Sequence, residues 1–521
     1  MTAQTVPQHI CRSYDCVVVG AGNGGLSAAA QLAAKGVSVL LLEQHNVPGG
    51  FATSFVRGRF EFESAMHLVA DVGPPTDKGS VRQYLEDELG IYLDWVEIPE
   101  AFRLILTDPG EAMNVTMHYG VESYINAIEK EVPGSRDSIA NYIELCMEVV
   151  DALTYLGMSR GKPDRKVLTT KYANFLKTAA YSVDQVAHAL KVPKRAQAIF
   201  HAPWVYIGIP TNKMNFTVFA GMMGKLIAFS GYIPRHRSHE FASAVEARIR
   251  ELGGETEFNT RAEQILVENG QVVGVVTSRG ERIATKHVIS NASPTLVYNR
   301  LVSPKSEVPE IAYRECNARV DNVSALVVYL GLDATPQELG LDKYSYLIFA
   351  NMNTDEIYET FSTIETPKAQ AAACLNNALP DCSPPGTTIL SITTLYRPEA
   401  WKDVQPVNYV KVKNKIAGDL IGQFEKATGT HIRTHIEEIE VATPATFARY
   451  TGSHGGTIYG YAPESWDSLI PRMMSMNEEK RIKGLEFCGG YSFRCHGYSS
   501  SFMSGQVAAL LTWRDLLEEG G

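Results

Sequence analysis

No stretch of this 521-residue chain stays apolar over the roughly 20 residues that a membrane-spanning helix needs. Runs such as Val323–Leu332 are far shorter, so a protein outside the bilayer is expected, with contact at a membrane surface as the variant it allows. No long basic run occurs either, and the net charge is −10. Phosphate backbones need a concentrated positive surface, which argues against nucleic acid as a partner. None of the eight cysteines forms a CxxC pair, so no zinc site and no disulfide framework are expected. Scattered thiols of this kind suit a reducing compartment, and the expectation is cytoplasmic. The opening MTAQTVPQHICRSYD lacks the basic-then-apolar layout of a secretory leader. Internal repeats and low-complexity tracts are missing. With 45% apolar and 20% charged residues over this length, what remains is a folded protein of two or three domains.

What is there begins with YDCVVVGAGNGGLSAAAQLAAKGVSVLLLEQ. Cys16–Val19 reads as a buried parallel strand. Gly20, Gly22 and Gly25 give GxGxxG: a tight turn, close approach of a pyrophosphate, and close packing of helix on strand. Leu26 to Lys35 is rich in Ala and Leu and should be helical, its N-terminus turned toward the phosphates. Ser38–Leu42 is the next strand. Glu43 ends it, about 20 residues after the first glycine, where an acid bonds ribose hydroxyls. A lone GxGxxG is weak, but here strand, turn, helix, strand and acid arrive in order. The chain then continues EQHNVPGGFATSF, with Gly49 and Gly50. That extension resembles the FAD-binding start of the amine oxidase and phytoene desaturase superfamily.

Four further segments resemble one branch of it: phytoene desaturases, carotenoid isomerases and retinol saturases. They are GRFEFESAMHLV, the stretch from FASAVEARIRELGG to VISNASP, VSALVVYLGLD, and VATPATFARYTGSHGGTIYGY with GLEFCGGYSFRCHGYSSSFMSGQVAALL. Read from residues alone, Phe241–Leu252 is an amphipathic helix stopped by Gly253-Gly254, and Asn269-Gly270 marks a hairpin. The resemblance implies an α/β fold, a Rossmann-type FAD-binding domain interleaved with a mixed-sheet plus helical substrate domain. Residues 10–72, 233–302 and 445–517 would form the first, 73–232 and 303–444 the second. It further implies that Ala262 meets the adenine, that Gly489 and Gly490 lie near the FAD phosphates, and that Ser504–Leu511 begins the final helix.

Two departures from the family pattern stand out. His236 and Arg237 replace a glycine pair before the amphipathic helix. Arg494, Cys495 and His496 replace most of a Pro-Gly-Gly-Gly loop, leaving Gly497. The candidate catalytic residues are His496, as a proton donor near neutral pH, His67, Tyr459 and Arg237. Against each stands a plainer role: a histidine bonded within its loop, a tyrosine walling a pocket, an arginine at the surface. Covalent flavin attachment through Cys495 is disfavoured by its place in the motif, and Cys488, Cys495 and His496 lack metal-ligand spacing. A membrane-skimming helix in SRGKPDRKVLTTKYANFLKTAAYSVDQVAHAL is weighed against an ordinary half-buried helix, which is favoured.

The expected activity is an FAD-dependent oxidoreductase on carbon–carbon double bonds of an apolar polyene, isoprenoid or lipid-like substrate, saturation slightly ahead. A cis–trans isomerase or desaturase, and an amine oxidase, are the alternatives. A lipid escort on the same fold is opposed by the intact nucleotide motif. Partners are a hydrophobic small molecule and an unidentified electron donor or acceptor.

Overall fold

The computed structural model describes residues 10–65, 67–159, 163–467, 480–492 and 496–520. Arg494 and Cys495 therefore lie outside the described residues. Three sheets organise the chain. The first is parallel, with its strands in the order Glu255–Glu257, Val39–Leu42, Cys16–Val19, His287–Ser290 and Leu485–Phe487. The Cys16–Val19 and Val39–Leu42 strands are buried at every position, as near-continuous apolar runs must be when helices cover both faces.

The first helix, Asn23–Ala34, starts at the GxGxxG loop and the C-terminal helix, Tyr498–Gly520, packs across it. Two glycines set that crossing: a Cβ on Gly505 would overlap the Gly24 carbonyl, so no larger residue lets the two backbones meet. The helix expected over Phe241–Leu252 runs from Arg237 to Glu251, a turn earlier at its start.

The second sheet orders Ile10–Ser13, Arg282–Ala284, Gln271–Thr277, Ala262–Glu268 and Val302–Ser303. Its central hairpin turns at Asn269 and Gly270, with φ of 53° and 73°, the two positive values a tight hairpin asks for. The third sheet has seven strands, in the order Ile436–Ala442, Ser324–Leu332, Thr388–Tyr396, Ala369–Cys374, Ser345–Phe349, Phe102–Leu106 and Met113–Met117. Ser324–Leu332, expected as a central strand, is paired on both sides and buried at all nine positions.

Helices between residues 121 and 229 share a core with one face of this sheet. Among them, the basic stretch after residue 160 forms two short helices, Arg165–Thr170 and Ala173–Thr178. Tyr172 and Phe175, which a membrane-skimming helix would present outward, are buried in that core. Tyr172 and Phe175 thus pack inward, while the Arg165–Thr170 helix buries no residue and Tyr181 stays exposed. No helix among the described residues is long and apolar enough to cross a membrane. The fold is mixed α/β, with a Rossmann-type unit interleaved with a sheet-and-helix unit.

Candidate functional site

A single cavity of ≈ 1210 Å³ runs from the carboxyl ends of the parallel strands to the face of the seven-stranded sheet. Its first half is the glycine loop. Gly20, Gly22, Asn23 and Gly24 line it, and the first helix begins there with Gly22 as its cap and no side chain bonded to its free N–H groups. Residues Gly497 to Ser501, at the start of the C-terminal helix, line the same space. Two helix N-termini thus face one cavity, an arrangement that attracts anionic groups.

Gly49, Gly50, Gly489 and Gly490 complete this wall. Gly20, Gly49, Gly50 and Gly489 have φ of 94°, 115°, 60° and 83°, which explains their residue type. Gly25 is off the wall. A Cβ there would overlap the Gly20 carbonyl, so its role is to seat the helix against the turn. Glu43 lies at the strand end, nearly buried, accepting from the Ala21 N–H (2.7 Å) and the His45 N–H (2.8 Å). Each carboxylate oxygen keeps a further lone pair for a ribose hydroxyl. Ala262 lines the cavity beside Thr260 and Arg261. These residues fit a dinucleotide: donors for phosphates, an acid for ribose, and glycines where a side chain would block the backbone.

Asn291 was not found from sequence. Its side chain sits among Gly22, Gly24 and Gly489, where Cβ atoms would collide with its amide, and its Oδ1 accepts the Cys488 thiol at 3.8 Å. The signal was available: it immediately follows the His287–Ser290 strand, and ligands in such folds bind at carboxyl ends of strands. Burial pushes the Cys488 thiol up, so it is no thiolate nucleophile. Among the described residues no cluster of three His, Cys, Asp or Glu side chains could hold a metal.

The second half of the cavity is apolar. Leu153 and Met222 come from the Arg136–Met158 and Phe216–Phe229 helices, Val205 and Ile207 from the segment between them and the sheet. Ala325, Val327, Ala371 and Leu395 form the sheet side, with Val327, Thr393 and Ala371 in register across three strands. Small side chains in this row leave room above the sheet.

His67, Tyr459 and His496 all line the cavity. The His496 and Tyr459 rings are stacked, with centroids 4.4 Å apart and planes 18° apart. His496 Nε2 lies 3.1 Å from the Tyr206 carbonyl, which only accepts, so Nε2 carries the proton, and among the described residues the buried Nδ1 finds no partner. Burial lowers the His496 pKa to about 4, and that of His67 likewise to about 4. Both side chains are partly accessible, but to the largely apolar cavity they line, so desolvation governs them. At neutral pH each is a neutral imidazole. That differs from the expectation of His496 as a proton donor near neutral pH, because its one N–H is committed to the backbone and charging it underground is costly. Burial also raises the Tyr459 phenol.

Arg237 is not on the cavity wall. It is bound to Glu61 through its carbonyl (2.7 Å) and its carboxylate, and its Nε lies 3.9 Å from Glu63. Its φ of 71° is left-handed, the region that favours glycine. Glu63 is buried, accepts from the Ser238 hydroxyl, and is pushed up to about 7 by desolvation, which Ser238 and Arg237 oppose. Lys225, paired with buried Asp71, is a cation on the wall that the sequence did not single out.

Comparison with known proteins bears on both halves of the cavity. Residues 18–87 match the model of an NAD(P)-binding Rossmann-like domain. Against the all-trans-retinol 13,14-reductase of Homo sapiens the chain is 24% identical over 525 residues, covering 95% of this chain and 84% of the relative. Against the chloroplastic prolycopene isomerase of Daucus carota it is 24% identical over 521 residues, covering 98% and 82%. The chain is a homologue of retinol reductases and prolycopene isomerases. This is the branch to which its motifs pointed. A solved putrescine oxidase variant shares the fold, with a TM-score of 0.62 over 96% of this chain and 99% of that one at 13% identity. In this homologue of retinol reductases and prolycopene isomerases, the glycine cradle and Glu43 are the legible part of the site, and the histidine–tyrosine stack is the part the three-dimensional structure adds.

Proposed function

We propose that this chain is an FAD-dependent oxidoreductase that saturates a carbon–carbon double bond of an apolar polyene. The observation that carries this is the continuity of the cavity: a dinucleotide cradle opens directly into an apolar chamber. The names of the homologous reductases and isomerases support the substrate class. FAD, when bound, would supply the electron pair that such a reaction needs.

The chain's own residues would do the rest. Gly20, Gly22 and Gly24 and the two helix N-termini hold the diphosphate, and Glu43 holds the ribose. Tyr459 and His496 form a flat wall at the reacting end, and the Val327–Ala371 row keeps water away. The division into a nucleotide unit (10–72, 233–302, 445–517) and a substrate unit (73–232, 303–444) belongs to the same proposal. It is supported by the strands, since those of the parallel sheet fall in the first set and those of the seven-stranded sheet in the second.

One observation favours isomerisation as a second reading. Saturation needs a proton as well as an electron pair, and His67 and His496 are both neutral at pH 7. Isomerisation has no net proton demand. Amine oxidation is less well supported: of the acids on the wall, Glu43 sits at the nucleotide end, and Asp71 and Glu263 are paired with Lys225 and Arg261.

The test is purified protein, reduced without oxygen, mixed with an all-trans polyene. A product two mass units heavier with a shortened chromophore supports saturation. An unchanged mass with a shifted chromatographic position supports isomerisation. A polyene left untouched by both oxidised and reduced protein overturns the reading.

A further inference from the structure

Beyond Glu43, at the end of the cavity away from the Tyr459–His496 stack, the wall is made by two segments far apart in sequence. One is Gln44–His45, directly after the strand whose acid marks the ribose. The other is Tyr450–Ser453, the end of the Pro444–Thr451 helix, turned at Gly452 with φ of 69°. The two are tied across the opening. Gln44 Nε2 donates to the Tyr450 carbonyl at 3.2 Å, and His45 Nε2 lies 2.8 Å from the same oxygen. A carbonyl only accepts, so His45 carries its proton on Nε2. The His45 and Tyr450 rings lie 5.5 Å apart, tilted by 37°.

The main chain of Gln44–His45 is held independently of this bridge. The His45 N–H donates to Glu43 Oε1 at 2.8 Å, and the His45 carbonyl accepts from the Asn259 N–H at 2.8 Å. Among the described residues the side chains of Gln44 and His45 bond across, and both reach one atom. We infer that Gln44 and His45 form a clasp over the adenosine half of the bound dinucleotide, and that the cofactor leaves only when the bonds to the Tyr450 carbonyl break.

The inference rests on the FAD reading. Position supports it: the ribose acid and the Thr260–Ala262 edge lie on the same side of the cavity as the clasp, so the base end of the nucleotide falls beneath it. The Pro444–Thr451 helix also carries Phe447, whose ring is 5.8 Å from Phe51 on the cavity wall. The clasp therefore holds a segment that shapes the cavity beyond its own end.

The experiment uses full-length protein loaded with radiolabelled FAD and chased with excess unlabelled FAD. A Gln44→Ala/His45→Phe variant removes both donors and keeps an aromatic ring at 45. Two net hydrogen bonds of ordinary strength correspond to release faster by about tenfold or more. That acceleration, with the melting temperature of flavin-free protein unchanged, is the expected result. Release within twofold of wild type overturns the clasp, and so does a flavin-free melting temperature that falls as far as that of the loaded protein, since the bridge is then structural only. Wild-type protein that retains no label overturns the flavoprotein reading and the clasp with it, an outcome distinct from either of the others.

Discussion

At the scale of single residues, Arg237 shows how a departure from a family pattern becomes intelligible. An L-residue at φ 71° is strained, by about 1 kcal/mol against glycine. The guanidinium offsets this by holding Glu61 and by facing buried Glu63. Arg237→Ala should keep the strain and lose the ion pairs, whereas Arg237→Gly loses both. Urea unfolding should therefore rank wild type above Gly and Gly above Ala, with Gly and Ala separated by about 1 kcal/mol. Ala outranking Gly, the usual helical order, would sink the argument. His496 carries a second prediction. With its pKa lowered to about 4, turnover between pH 5.5 and 8 should show no inflection that disappears in His496→Gln. An inflection near pH 6.5 that the variant abolishes would mean the imidazole is charged in the working site.

The glycines and Glu43 were legible because a backbone at positive φ, or one pressed against another, restricts the residue type. The environment of His496 was not. Its hydrogen-bond partner, Tyr206, is 290 residues away, and its stacking partner Tyr459 arrives on another segment. A histidine beside glycines in sequence says nothing about whether its N–H is free.

Among elements, the crossing of the Asn23–Ala34 and Tyr498–Gly520 helices is the decisive one, because Gly24 lines the cavity on one side and receives Gly505 on the other. Gly505→Ala would drive a methyl group into a backbone carbonyl, which cannot swing aside as a side chain does. Overpacking of this kind costs about 1–3 kcal/mol. It should also push the loop that holds the phosphates. Melting temperature and flavin retention should fall together in this variant. A loss of stability with flavin retention intact would show that the helix pair and the cradle are mechanically separate. The parallel strands were readable as apolar runs, and the hairpin as Asn-Gly. The seven-stranded sheet was read only at Ser324–Leu332, because most of its strands pair across long separations in sequence; the Phe102–Leu106 and Met113–Met117 hairpin does carry a turn signal, Asp108-Pro109-Gly110. The chamber they floor was accordingly invisible until the fold assembled it.

For the whole molecule, the buried titratable groups set how stability depends on pH. His67 and His496 are lowered to about 4 and His201 to about 3, each by desolvation. Each takes up a proton on unfolding at a pH between its folded value and its ordinary value of 6.5. Their contribution is therefore fully present above that pH and is lost as pH falls toward 4. Glu63 acts in the opposite sense. Raised to about 7 from 4.5, it binds its proton more tightly when folded, so its contribution is present below 4.5 and lost as pH rises through 7. His287 is lowered by burial in the same way, and Glu100, Asp184, Asp321 and Glu486 are raised by burial as Glu63 is. Melting temperatures measured from pH 4.5 to 8 therefore carry two opposed trends, the histidines lowering them toward acid and the carboxyls lowering them toward neutral pH, and single variants separate the two. His201→Gln, which preserves a partner for the Tyr142 hydroxyl now 3.0 Å from His201 Nε2, should flatten the acid limb. Glu63→Gln should flatten the decline between pH 5 and 7 while keeping the bond from Ser238. If neither variant changes its own limb, the charges that govern this protein's acid and alkaline stability lie elsewhere than in its core.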